Sequence, residues 1–101
     1  MSSISLSTAL SGMSAANERL RASAHNVANL QTPGFRPQRI EQAAQAGQGG
    51  VTTRVVQQQG AEVSAERELV EQRDATYSYV ANLRVLQTQV RAEGTLLDIR
   101  A

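Results

Sequence analysis

Thr8-Ala-Leu-Ser-Gly-Met-Ser-Ala-Ala-Asn-Glu-Arg-Leu-Arg-Ala-Ser-Ala-His-Asn-Val-Ala-Asn-Leu-Gln-Thr-Pro-Gly-Phe35 decides the fold. Its apolar positions form one narrow stripe, Leu6, Leu10, Met13, Asn17, Leu20, Ala24 and Val27, at steps of 4, 3, 4, 3, 4 and 3 residues. Two such positions in every seven make the seam of a coiled coil, narrower than the face of a helix in a globular core. Thr32-Pro33-Gly34 stops the helix, because the residue before a proline leaves the helical region and glycine permits a tight turn. A seam this narrow requires a partner.

Working outward, residues 36–61 form a connector with Gly47-Gln48-Gly49-Gly50 and a Gln-rich stretch, which reads as a flexible join. One alternating run inside it, Val51-Thr-Thr-Arg-Val-Val56, has strand character over 51–56. A lone strand is unstable, so its mate is either Phe35 to Ile40 or a neighbouring molecule. Residues 62–101 carry a second, longer helix. Ser64 is a plausible start, and Glu62, Glu66, Glu68 and Glu71 suit the positive end of the helix. Its apolar set is Leu69, Thr76, Val80, Leu83, Leu86, Val90 and Leu97, again at helical steps. Two similar stripes joined by a turn-capable connector predict an all-α fold, an antiparallel two-helix coiled-coil hairpin with a short, partly β-like or flexible connector. Three segments result: 1–35, the first helix with its Pro-Gly turn; 36–61, the connector; and 62–101, the second helix.

Composition bounds the function. Leu, Ile, Val and Phe total 22 of 101 residues, so a self-sufficient core would be thin and order is expected to increase on assembly. A net charge of +1 gives no electrostatic footprint for nucleic acid or an anionic membrane. All ten basic residues are arginine, which suits buried contacts between subunits better than lysine does. There is no cysteine, hence no disulfide or thiol chemistry. The N-terminus lacks a secretory signal pattern, and no stretch has the roughly 18 apolar residues of a membrane span.

The residues resemble a known family. Ala9-Leu-Ser-Gly-Met13, Ala15-Ala16, Arg19-Leu20, Ala24-His-Asn-Val-Ala-Asn29 and Thr32-Pro-Gly-Phe35 resemble the N-terminal signature of bacterial flagellar basal-body rod and hook proteins. Glu68-Leu-Val-Glu71, Ala75, Tyr79, Ala81-Asn82, Val85-Leu86 and Thr88 resemble the family's C-terminal helix. The resemblance implies a structural subunit exported by the flagellar type III apparatus and polymerised through its terminal helices into the hollow periplasmic rod. It implies as partners copies of the chain or other rod and hook-type axial proteins. The short middle of this chain resembles a proximal rod subunit. Heterologous, non-closing contacts of this kind generate helical polymers.

Individual residues fit this reading. Asn17 in the seam and Asn82 on the second helix can fix register, as a single polar seam residue does. Asn26 and Asn29 either cap the first helix and form its turn or bond across subunits. Gly12 costs about 1 kcal/mol relative to alanine, and with Ser11, Ser14, Ala15 and Ala16 beside it, it suggests close approach of another helix. Phe35 is read as an anchor for the Pro33-Gly34 turn, and Tyr79 as the tyrosine packed in the seam. His25 has no metal-ligand pattern around it. The carboxylates from Glu62 to Asp74 read as a solvated helix N-terminus, not as acid–base machinery. No phosphate loop, nucleophile elbow or metal motif occurs, so no enzyme activity and no cofactor is expected. The competing reading is a soluble accessory protein, a chaperone or regulator of flagellar secretion that is never built into the rod.

Overall fold

A computed structural model describes residues 2–45, 49–58 and 64–100, with side chains over 6–45, 49–58 and 64–95. Glu62, Gly47-Gln48 and the Leu97 side chain lie outside the described residues. The elements run α1 (Ser2–Ala28), β1 (Gln38–Ala44), β2 (Val51–Gln57) and α2 (Ala65–Arg100).

Helix α1 ends three residues before the expected stop. Asn29 donates from Nδ2 to the His25 carbonyl at 2.9 Å, and its Oδ1 accepts from Thr32 Oγ1 at 3.1 Å. Successive tight turns follow, with Thr32 N donating to Asn29 O at 3.0 Å and Phe35 N to Thr32 O at 3.3 Å. Gly34 closes them at φ 74°, a conformation that costs glycine little and a side-chain-bearing residue more. Helix α2 opens on Ser64, whose carbonyl accepts from Glu68 N at 3.0 Å, with Glu66 and Glu68 in the first turn.

The two helices run antiparallel: Asn26 and Ser23 face Glu68, Arg19 faces Glu71 and Asp74, and Gly12 faces Asn82. Continued at equal rise, that register sets Ser2 beside about Ala92, so the last two turns of α2 project beyond the start of α1. Among the described residues the buried apolar side chains are Ala9, Ala15, Ala16, Ala22 and Ala75, with Pro37 at the entry to β1. Short side chains let the axes approach closely, but each buries little area.

The expectation of an all-α chain with a short, partly β-like or flexible connector is corrected by the sheet. Two strands of 7 residues each pair antiparallel, with Gln38 opposite Gln57, Glu41 opposite Arg54 and Ala44 opposite Val51. Strand β1 reads Gln-Arg-Ile-Glu-Gln-Ala-Ala, in which Ile40 is the one β-branched residue and no aromatic occurs, a weak signal for a strand. Helix α1 supplies what those side chains do not, since a two-stranded hairpin alone is marginal. At one end, Asn26 bonds both backbone polar groups of Gln38, accepting from its N–H at 2.8 Å and donating to its carbonyl at 2.9 Å. At the other, the Ser11 hydroxyl accepts from Val51 N–H at 2.7 Å and donates to Val51 O at 2.8 Å. From Ser11 to Asn26 is about 22 Å of helix, and a seven-residue strand spans about 20 Å between its end Cα atoms. The hairpin is therefore pinned along α1 at both ends.

The molecule is elongated, 63 × 25 × 14 Å, with a radius of gyration of 17.4 Å. A globular chain of this length has a radius near 13 Å. Its accessible surface is 7177 Å², against roughly 5,600 Å² for a globular monomer of this mass.

Candidate functional site

The face that α1 gives to α2 is the predicted seam displaced by one residue. Positions 12, 19, 23 and 26 meet α2, and Ala9 and Ala16 on the same stripe are buried, where the sequence pattern picked out 10, 13, 17, 20, 24 and 27. On α2 the same displacement sets Glu68 and Ala75 in the buried contact beside Leu69 and Thr76. One residue is a rotation of about 100° around a helix. The larger side chains are consequently left on adjoining faces. Leu10, Val27, Leu69, Val80 and Val90 are exposed, Leu69 by 55% and Val90 by 57%. Leu6, Met13, Leu20, Leu83 and Leu86 are half-buried, and Asn17 is exposed. Leu20 from α1 and Leu69, Thr76, Tyr77 and Val80 from α2 line one shallow groove. Tyr79 is half-buried, whereas Tyr77 points to solvent.

Beneath that surface, a polar knot joins three elements. Glu68 is 0% exposed; its Oε1 accepts from Asn26 Nδ2 at 3.1 Å and from Arg39 Nη1 at 2.7 Å. Ser23 Oγ donates to the Glu68 carbonyl at 3.2 Å and accepts from Gln72 Nε2 at 3.1 Å. Burying a carboxylate is costly unless a charge and hydrogen bonds meet it, and Arg39 and Asn26 supply these. Glu68 Oε2 and Arg39 Nη2 have no partner among the described residues. The reading of Glu68 as part of a solvated helix N-terminus is thus corrected. Neither it nor Arg39 and Ser23 was picked out as a packing residue, because charge and hydroxyl groups read as surface when the partner is unknown.

One helical turn along, Arg19 bridges Glu71 and Asp74, donating from Nε to Glu71 Oε1 at 2.8 Å and from Nη2 to Asp74 Oδ2 at 2.6 Å. Burial works against its charge, but the bonds to Asp74 and Glu71 outweigh that and hold the guanidinium above its ordinary pKa. Further along, Gly12 meets Asn82: a β-carbon on Gly12 would lie 2.5 Å from Asn82 Nδ2. Asn82 itself donates to Ser78 O at 2.8 Å. At the turn, Phe35 is half-buried and stands edge-on to His25, with ring centroids 5.3 Å apart, while Pro33 and Gly34 are exposed.

Among the described residues, no cluster of three His, Cys, Asp or Glu could hold a metal ion, and no helix is long and apolar enough to cross a membrane. What the arrangement offers is a rigid scaffold with an alanine seam inside and leucine and valine side chains outside. Residues 6–36, which take in most of α1 and the whole turn, match the family model described as flagella basal body rod protein. No curated protein matches the chain.

Proposed function

We propose that the chain, whose residues 6–36 match the flagella basal body rod protein family, is a structural subunit exported by the flagellar type III apparatus and built into the periplasmic rod. Its short middle suits a proximal position. The terminal helices polymerise around a hollow axis, against copies of the chain or against other rod and hook-type axial proteins.

The observation that carries this reading is the inversion of the usual burial. Alanines fill the intramolecular seam, while Leu10, Leu69, Val80 and Val90 stay exposed on adjoining faces. A lone helical pair gains little from that distribution; a subunit surrounded by others gains much, since each leucine or valine newly buried contributes about 1.5–3 kcal/mol. Tagged protein recovered in purified basal bodies is the expected outcome of fractionation. A stable soluble protein confined to the cytoplasm would replace this reading with the secretion accessory.

A further inference from the structure

Both edges of the hairpin are only partly covered. The bonds Gln45 N to Gly50 O at 3.0 Å and Gln58 N to Pro37 O at 2.9 Å mark hydrogen-bonded pairs just beyond both ends of the ladder. Antiparallel alternation then points the backbone groups of Gln38, Ile40, Gln42 and Ala44 outward from β1, and those of Val51, Thr53, Val55 and Gln57 outward from β2. Asn26 covers Gln38 on one edge and Ser11 covers Val51 on the other. Ile40, Gln42 and Ala44, and on the opposite edge Thr53, Val55 and Gln57, have no backbone partner among the described residues. Neither strand contains proline or lysine, two residues that commonly blunt an edge.

We infer that the β1 edge of one copy pairs with the β2 edge of a second copy of this chain, extending the hairpins into a continuous antiparallel sheet. Charge selects this pairing. The uncovered part of β1 carries Glu41 and that of β2 carries Arg54, both well exposed and ion-paired with each other within the hairpin at 2.7 Å, so a neighbouring copy joined β1 to β2 continues an alternation of charge already made inside one chain. Joining β1 to β2 sets opposite charges across the new ladder, whereas β1 to β1 or β2 to β2 brings like charges together. Repeating the intrachain register places Ile40 against Val55 and Gln42 against Thr53 of the second copy, using four of the six uncovered residues; Ala44 and Gln57 fall opposite the covered Val51 and Gln38. The contact is heterologous and does not close on itself, as a helical polymer requires. The inference rests on the rod reading only in that copies of the chain meet side by side.

The absence of native cysteine makes the test direct. In that register, Glu41 and Arg54 of neighbouring copies form a pair without mutual hydrogen bonds, with β-carbons about 4.5–5.5 Å apart, near enough for a disulfide after a small shift. Purified Glu41→Cys and Arg54→Cys proteins, mixed and mildly oxidised, should give at least about fivefold more disulfide dimer than either alone. Equal yields in the three samples, or dimers mainly in the unmixed ones, would overturn the pairing. Adding Thr53→Pro to the Arg54→Cys protein removes one outward N–H. The mixed dimer should then fall several-fold at unchanged helical content; undiminished cross-linking would also sink the idea. Chain recovered in basal bodies without the 41–54 link defeats the edge pairing alone. A link formed by a chain never found in basal bodies defeats the rod reading alone.

Discussion

Asn26 holds both backbone polar groups of Gln38, as a neighbouring strand would, while the same amide nitrogen reaches Glu68 Oε1 at 3.1 Å. One buried side chain on α1 thereby fixes where β1 begins and neutralises part of the cost of burying a carboxylate on α2. Replacing Asn26 with leucine leaves Gln38 N–H, Gln38 O and Glu68 short of partners. Urea unfolding should register a loss of about 2–4 kcal/mol, from unsatisfied buried groups at about 1–3 kcal/mol each, partly relieved by water. Asn26→Asp keeps the shape but sets a second carboxylate against Glu68, and should be at least as damaging.

Arg39 and Glu68 form an ion pair with unequal exposure, 19% for the arginine side chain and none for the glutamate. Losing one partner of a buried pair costs most when the charge left behind cannot reach water. Arg39→Met should therefore destabilise by about 3 kcal/mol, whereas Glu68→Gln leaves a guanidinium able to turn outward and should cost about half as much. Equal losses in the two variants, measured by chemical denaturation, would show that the buried carboxylate is not the costly member.

Gly12→Ala ordinarily stabilises a helix by about 1 kcal/mol. Here the new β-carbon would lie 2.7 Å from Asn82 Cγ, so the amide must swing away and lose its bond to Ser78 O. The substitution should be near neutral in the native background and stabilising by about 1 kcal/mol when Asn82 is already alanine. A double-mutant cycle reads the difference; additivity would mean that the helices do not meet there.

The helices were legible because heptad spacing, a proline stop and an acidic first turn are local signals. The same spacing misplaced the seam by one residue. Leu10, Leu20 and Leu69 outrank Ala9, Arg19 and Glu68 on any hydropathy scale, yet the intramolecular contact took the smaller and polar set. Hydrophobic periodicity identifies a face that some neighbour covers, without saying that the neighbour is the chain's own second helix. Strand β1 was legible only in part: Phe35 to Ile40 was one of two mates offered for residues 51–56, and the strand overlaps it at 38–40 but runs on to Ala44. Its stability comes from the ladder to β2 and from Asn26 on α1, both of which are tertiary and leave no mark in Gln38-Arg-Ile-Glu-Gln-Ala-Ala.

The groove formed by Leu20, Leu69 and Val80 separates folding from assembly. Leu69 is 55% exposed, so it contributes little to the isolated fold, and Leu69→Asp should change unfolding free energy by no more than about 0.5 kcal/mol. Leu20 and Leu83 are half-buried, and an aspartate at either should cost about 1–2 kcal/mol by stranding a charge against apolar neighbours. All three substitutions should nevertheless have the same effect on incorporation, because each places a carboxylate on the faces left for neighbouring subunits. Basal bodies from cells carrying Leu69→Asp should lack the protein while its melting curve in isolation stays unchanged. Normal incorporation of Leu69→Asp would mean that neighbouring subunits cover some other surface, and the exposed leucine and valine stripe would lose its role in assembly.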